Sequence, residues 1–514
     1  MSFTKFALTV SAAALLVSPA LAQKSKDTLR VGVSQPISIV DIILNPQPQT
    51  TLMTSVVFDS LIHYDADSRS FRPLLAESWK RIDAKTLEFK LKRGIKFHDG
   101  SDFDADDVIY TVKYATDPKV KFRFKGTRYG WIKEAQKIDS HTVRIVGKGV
   151  YAPALTAMAI STPIFPSDHH SKLADKRQFG KAPVATGPFR VTSVNSARGV
   201  TMVKFDGYKH GGSVKPAAQV SVIKITPDPD AQTQVAKMMT AQQDMMYEVQ
   251  KDQAEDLAKN PALKVTVTPT VQFSYIYPDA ADRSGVGYFK DKRVRLAMFH
   301  AVDRKAMAKA LLPKEVWNEP LPTSMCHKWL IGCDHDVKAP EYDPAKAKRL
   351  LAEAGLAGGF DVKLTVWGAA KAAADAAAGY MRKVGIRASV DAVTFGVYNR
   401  KRSQSKVQTF VSFWDNGGAQ PDVNTTAGFF FLPGARNYNH DKVLSGLVLE
   451  GRKIYDVPAR TKIYRKIFNR AVTEAYFFPL LSIPAIVVHD KDLVLQGGHK
   501  SPKGFLFNRI NWKK

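Results

Sequence analysis

The sequence predicts an α/β protein with more than one domain. Runs that alternate apolar and polar residues, the period of a half-buried strand, recur from one end to the other. Between them lie segments with apolar residues at helical spacing. The length, 514 residues, exceeds what one hydrophobic core organises. A hydrophobic content of 45% is that of a globular chain, neither disordered nor membrane-embedded.

Lys5 is the only charge before Lys24, residues 6–17 are apolar or small, and Ala20-Leu21-Ala22 forms a small-x-small cleavage site. This reads as an export signal over 1–22. The competing reading is a buried or membrane helix, against which stand Pro19 and the short apolar length. No cysteine follows the cleavage site, so the expected product is soluble and periplasmic, without a lipid anchor. Residues 29–33 form a strand that stops at Ser34-Gln35-Pro36, and 53–61 has helical spacing. Residues 86–91 (TLEFKL) alternate, Arg93-Gly94 breaks the run, and His98-Asp99-Gly100 makes a turn. Asp104 is an N-cap before a helix with acids in its first turn. Strands are expected at 131–139, 142–146, 203–208, 220–225, 263–268, 364–367, 386–390 and 410–414. Helices are expected at 154–160, 230–246 and 369–381.

The formal charge is +27, which draws anions of many kinds. Basic residues are spread along the chain, and no nucleic-acid module such as a C₂H₂ or RNP pattern occurs, so no nucleic-acid partner is expected. A solvated basic surface and a bias toward anionic ligands both fit. Cys326 and Cys333 are the only cysteines; a local disulfide, free thiols and a metal site with His327 and His335 are the alternatives. No GxSxG, HExxH or P-loop is present, and Gly285-Val286-Gly287 lacks the third glycine of a dinucleotide loop. His98-Asp99 and His169-His170 sit in turn-like contexts, and the acids at 102–107 lack the glycine and glutamate of a calcium loop. No enzyme activity, cofactor or catalytic metal is expected.

Residues 75–117, LAESWKRIDAKTLEFKLKRGIKFHDGSDFDADDVIYTVKYATD, carry more than local structure. They resemble the signature segment of family 5 extracytoplasmic solute-binding proteins, which serve peptide-, nickel- and opine-type ABC importers. Further blocks resemble the family in the same order: Ile62-His63-Tyr64, Ala185-Thr186-Gly187-Pro188-Phe189, Asp291 to Met298, and Tyr342 to Gly355. The resemblance implies a two-lobed periplasmic binding protein of the large peptide-binding type (type II, cluster C) with an inserted domain. By this analogy lobe I takes 23–58, 186–269 and 486–514, the inserted domain 59–185, and lobe II 270–485. It also implies a monomer that engulfs a small-molecule solute and presents its closed state to a membrane permease. Ordinary di- or oligopeptides are the first alternative solute. An extracytoplasmic enzyme and a protein that works at lipid surfaces are alternatives of other classes.

In peptide-binding members, the loop after a tryptophan strand carries an aspartate for the ligand's amine, roughly W-x-x-D-x-x-D-P-D. Here the run is Trp414-Asp415-Asn416-Gly417-Gly418-Ala419-Gln420-Pro421-Asp422. Gly417 stands where the acid would be, and Gln420 replaces the acid before Pro421. An unpaired buried ammonium costs several kcal/mol in effective terms. The expected solute is therefore a modified peptide, an opine-like conjugate or a related acidic metabolite. Site candidates are Trp414 as a stacking wall, Asn416 as a hydrogen-bonding group and Asp415 as a counter-charge. Phe273 and Tyr275 lie at the lobe crossing, and Trp131, Tyr398 and Ser34 complete the set. For each aromatic, ordinary core packing is the competing reading. Arg387, Arg400, Lys401 and Arg402 could meet a ligand carboxylate or simply face solvent. No His or Met cluster near Trp414 points to nickel or haem. Restoring the acid with Gly417→Asp is expected to confer binding of unmodified dipeptides, read as a thermal shift. No gain in a protein that otherwise ignores them would remove the force of this loop argument.

Overall fold

Strand Thr28–Val33 buries Leu29, Val31 and Val33 on one face and lies at the centre of a sheet. The computed structural model describes residues 27–333, 337–415, 420–496 and 505–513; residues 1–22, read in the sequence as an export signal, lie outside them. The sheet has seven strands, in the order Leu263–Thr268, Ala485–Asp490, Met245–Tyr247, Thr28–Val33, Val222–Pro227, Gly199–Lys204 and Phe189–Asn195. Thr28–Val33 runs parallel to both neighbours, and the remaining pairs are antiparallel. Arg30 and Asp244 lock two of these segments through a two-pronged pair at 2.9 and 2.6 Å.

A second, four-stranded antiparallel sheet comes entirely from the inserted domain: Ala76–Arg81, Thr86–Leu91, Thr142–Gly147 and Ile132–Asp139. Helix Ala105–Thr116 packs on it. Its start is fixed as its sequence predicts, with Asp104 accepting from Asp106 N and Asp107 reaching back to Asp104 N. The inserted domain and the first sheet share one core, in which Leu29, Phe89, Tyr129 and Phe507 belong to the same cluster. At their junction Asp59 is fully buried and is held by Lys215 at 2.6 Å and His210 at 2.7 Å. Burial alone would raise its carboxyl, but Lys215 and His210 hold it well below the usual carboxylate range.

Lobe II is built on five strands: Ile386–Val393, Phe360–Trp367, Thr409–Trp414, Phe273–Pro278 and Phe478–Ser482. Alternation divides its side chains between two cores. Phe273, Tyr275, Tyr277, Phe410 and Trp414 point to an aromatic face, whereas Ile276 and Val411 point to the aliphatic one. The chain passes between the lobes near 269–272 and again near 483–484, and the crossings lie side by side. Ile483 N donates to Gln272 O at 2.9 Å, and Thr270 Oγ1 donates to Ile483 O at 2.6 Å.

The helix expected over 230–246 is shorter. It runs Ala231–Met239 and ends where Ala241 takes a left-handed φ of 54°, after which Met245–Tyr247 is a strand. Helical spacing of the methionines masked this break. Two hairpin strands, Ile62–Asp65 and Ser70–Pro73, also exceed the short run visible in sequence.

Segment 37–45 docks against the inserted domain through Val40 N to Gly180 O at 2.7 Å. Asp41 is fully buried there. Its Oδ1 accepts from Ile43 N and Leu44 N, and its Oδ2 has no partner. Burial pushes the carboxyl up to about 6, only partly offset by those two amides. A carboxyl that titrates higher when folded gives stability below its unfolded pKa and loses it as pH rises through the folded one. Asp41→Asn is therefore expected to stabilise the protein at pH 7–8 by roughly 3 kcal/mol at most. In denaturant unfolding the gain should fade as the pH drops toward about 4. No gain at pH 8 would contradict this.

Candidate functional site

Strand Thr409–Trp414 delivers Trp414 to the edge of the aromatic core, and Trp414 Nε1 donates to Thr426 Oγ1 at 2.7 Å. That bond orients helix Asn424–Phe431, whose start is fixed from below. Asp422 accepts from Asn424 N at 2.9 Å and pairs with Arg460 at 2.9 Å, both side chains nearly inaccessible. Asp422 also bridges in parallel to Ile331, in the loop closed by the disulfide between Cys326 and Cys333, whose Cα atoms are 5.5 Å apart. The helix then presents Asn424, Gly428 and Phe429 to the inserted domain. A Cβ on Gly428 would come within 2.6 Å of Arg452 Nη2, so the bare glycine leaves room for that guanidinium.

The opposite wall comes from the inserted domain: Phe124, Arg128, Tyr151 and Ser161. Between the walls lies a narrow cavity, partly open to solvent. The lobes meet around it. Gln420 Nε2 donates to Ser161 Oγ at 2.6 Å, Asn424 Nδ2 to Tyr151 OH at 3.4 Å, and Ala152 N to Arg452 O at 2.7 Å. Farther out, Arg81 lies 3.8 Å over the Tyr455 ring, and Tyr455 OH donates to Ala84 O at 2.6 Å. These contacts make the arrangement a closed one.

The electrostatics of the cleft are set by arginines from both lobes. Arg123 and Arg128 each lie 4.7 Å from the Phe124 ring centre. Arg436 lies 4.2 Å over Phe429 and 5.8 Å from Phe124. Arg402 lies 5.7 Å from Tyr398 and 5.9 Å from Phe429. Arg123 keeps solvent contact, whereas Arg128, Arg402 and Arg436 are half-buried. Loss of bulk water, then the neighbouring arginines, push Arg436 down to about 9 and Arg123 to about 10. Both stay charged at neutral pH. Asp415 is the carboxylate whose field opposes this crowding at Arg123 and Arg128. Among the described residues, Arg123 and Arg436 make ring contacts but no hydrogen bond or ion pair.

Of the residues singled out in the sequence, Trp414 lines the cavity and Asp415 stands beside Arg123 and Arg128. Asn416 and Gly417 lie outside the described residues. Tyr275 and Tyr398 are buried behind Arg402, next to Ser412. Phe273 packs on Phe477 in the aromatic core. Trp131 stacks on Tyr151 at 5.3 Å and lines an adjoining hollow with Lys148 and Arg452. Ser34 is half-buried at the end of Thr28–Val33 and lines neither hollow. Arg402 reaches the cleft, whereas Arg387 pairs with Asp361, Lys401 pairs with Asp391, and Arg400 is exposed. Sequence reasoning passed over Arg123, Phe124, Arg128, Phe429 and Arg436. A signal existed for the first three, since residues 121–128 read KFRFKGTR, a basic run interleaved with aromatics. Among the described residues, no three His, Cys, Asp or Glu side chains converge as a metal site, and no helix is long and apolar enough to cross a membrane.

Residues 70–434 match the family described as bacterial extracellular solute-binding proteins, family 5. The dipeptide-binding protein of Escherichia coli (strain K12) is 25% identical over 456 residues, which span 80% of each chain. The glutathione-binding protein GsiB of the same strain is 25% identical over 502 residues, 94% of this chain and 93% of that one. Among solved structures, the binding protein AgaA from A. tumefacien R10, in complex with agropinic acid, superimposes with a TM-score of 0.78. It is 24% identical, and the match covers 95% of this chain and 99% of AgaA.

The Asp422–Arg460 pair supports the cavity wall from inside. Asp422→Ala strands a buried guanidinium and is expected to cost about 3–5 kcal/mol in denaturant unfolding. Adding Arg460→Met should recover most of that loss. Equal stability of the single variant and the wild type would mean that the pair does not hold the wall.

Proposed function

Because the chain belongs to the bacterial extracellular solute-binding proteins, family 5, we propose that it captures an acidic solute between its lobes for an ABC importer. The observation that carries this reading is the convergence of Arg123 and Arg128 with Arg402 and Arg436 over the Phe124 and Phe429 rings. Guanidiniums bind carboxylates and phosphates in two-pronged fashion, and flat rings beside them bury the apolar part of a solute. A ligand ammonium placed there would meet these arginines and, among the described residues, one opposing carboxylate, Asp415. That arrangement disfavours a peptide whose free amine must be neutralised at this spot.

In this mechanism the solute enters while the lobes are apart, and rotation about 269–272 and 483–484 closes them. Closure excludes water and strengthens the charge pairs. Trp414 and Phe429 form one wall, Phe124 and Tyr151 the other, and Gln420–Ser161 latches them. The closed surface is what a membrane permease would receive, and the 1–22 segment would direct export to the periplasm. Two related proteins fit such chemistry: one binds glutathione, a peptide with two carboxylates, and one was solved with agropinic acid.

A thermal-unfolding screen of the mature protein tests this, with neutral dipeptides, glutathione, acidic sugar–amino acid conjugates and nickel. A ligand at about a hundred times its Kd adds roughly 2.7 kcal/mol. Acidic solutes are expected to shift the transition and neutral dipeptides are not. Arg436→Ala should weaken the responding solute by at least about 30-fold, close to 2 kcal/mol. A shift confined to unmodified dipeptides would overturn the proposal.

A further inference from the structure

The cleft arginines belong to opposite lobes, and they meet only when the lobes are shut. Arg123 and Arg128 come from the inserted domain, Arg402 and Arg436 from lobe II. Phe124 lies within 6 Å of guanidiniums from both sides, with Arg123 and Arg128 at 4.7 Å and Arg436 at 5.8 Å. Of the other described carboxylates in lobe II, Asp422 is already paired with Arg460 and Asp391 with Lys401. Residues 416–419, Asn-Gly-Gly-Ala, contain no acid. Among the described residues Asp415 is the carboxylate that opposes this arginine group, and closing an empty cleft brings like charges together in a space with little bulk water.

Resting on the reading of an acidic solute, we infer that the solute carries at least two anionic groups, and that these offset the inter-lobe arginines and thereby permit closure. One single-charge anion added to Asp415 leaves two of the four arginine charges uncompensated; two, spread across the Phe124 and Phe429 rings, leave one. Carboxylates and phosphates share this chemistry. The empty protein then rests open, and the charge of the solute sets the equilibrium between open and closed forms.

Small-angle scattering of the ligand-free mature protein tests this at constant ionic strength. The titrants are citrate for the carboxylate source, pyrophosphate for the phosphate source, and acetate as the single-charge control. One of the multivalent anions is expected to contract the protein at a concentration at least about tenfold below acetate. Arg402→Gln with Arg436→Gln should be contracted without any anion and indifferent to the titrant. Arg123→Gln, on the other lobe and solvent-exposed, should show the intermediate response. Equal action of acetate and the multivalent anions would overturn the two-charge requirement and leave an acidic solute standing. Contraction by neutral dipeptides with no response to any anion would overturn both.

Discussion

Everything in this molecule hangs on two adjacent chain crossings. Near 269–272 and 483–484 the backbone passes between the lobes, and the two passages are bonded to each other through Gln272, Ile483 and Thr270. A paired link of this kind bends but does not shear. In this arrangement the facing rims of the lobes meet in one register. That register brings Gln420 to Ser161 and Tyr455 to Ala84 across the cleft.

Rigid supports carry the rims. On one side the inserted domain shares its core with the seven-stranded sheet, so Phe124 and Arg128 are borne by the larger mass of lobe I. On the other, the Asp422–Arg460 pair and the disulfide loop hold the start of Asn424–Phe431. Preorganised walls reduce the ordering cost of binding, and the aromatic faces stabilise the guanidiniums while no solute is present. The unusual feature is an excess of positive charge at a place where burial makes charge expensive.

Much of the architecture was legible in the sequence, because strand alternation and capping are local. Thr86–Leu91 and the capped helix after Asp104 lie where the pattern puts them. The fold and the family followed from motifs spread over the chain. Helix Ala231–Met239 was overestimated because one left-handed residue, Ala241, leaves no trace in hydrophobic spacing. The site was legible only in part. Trp414 and Asp415 were identified through their place in a motif, whereas Phe429 and Arg436 lie in no motif.

The sequence by itself determined the class of protein and the lobed α/β architecture, since each is written in residue type and short-range order. Only the tertiary structure decided what the cleft is. Arg123 and Arg436 are more than 300 residues apart, and nothing in their separate surroundings marks them as partners. Their charges add up only after the two crossings have brought the rims face to face. Coulombic crowding depends on distance in space and on lost water, and neither is a property of chain order.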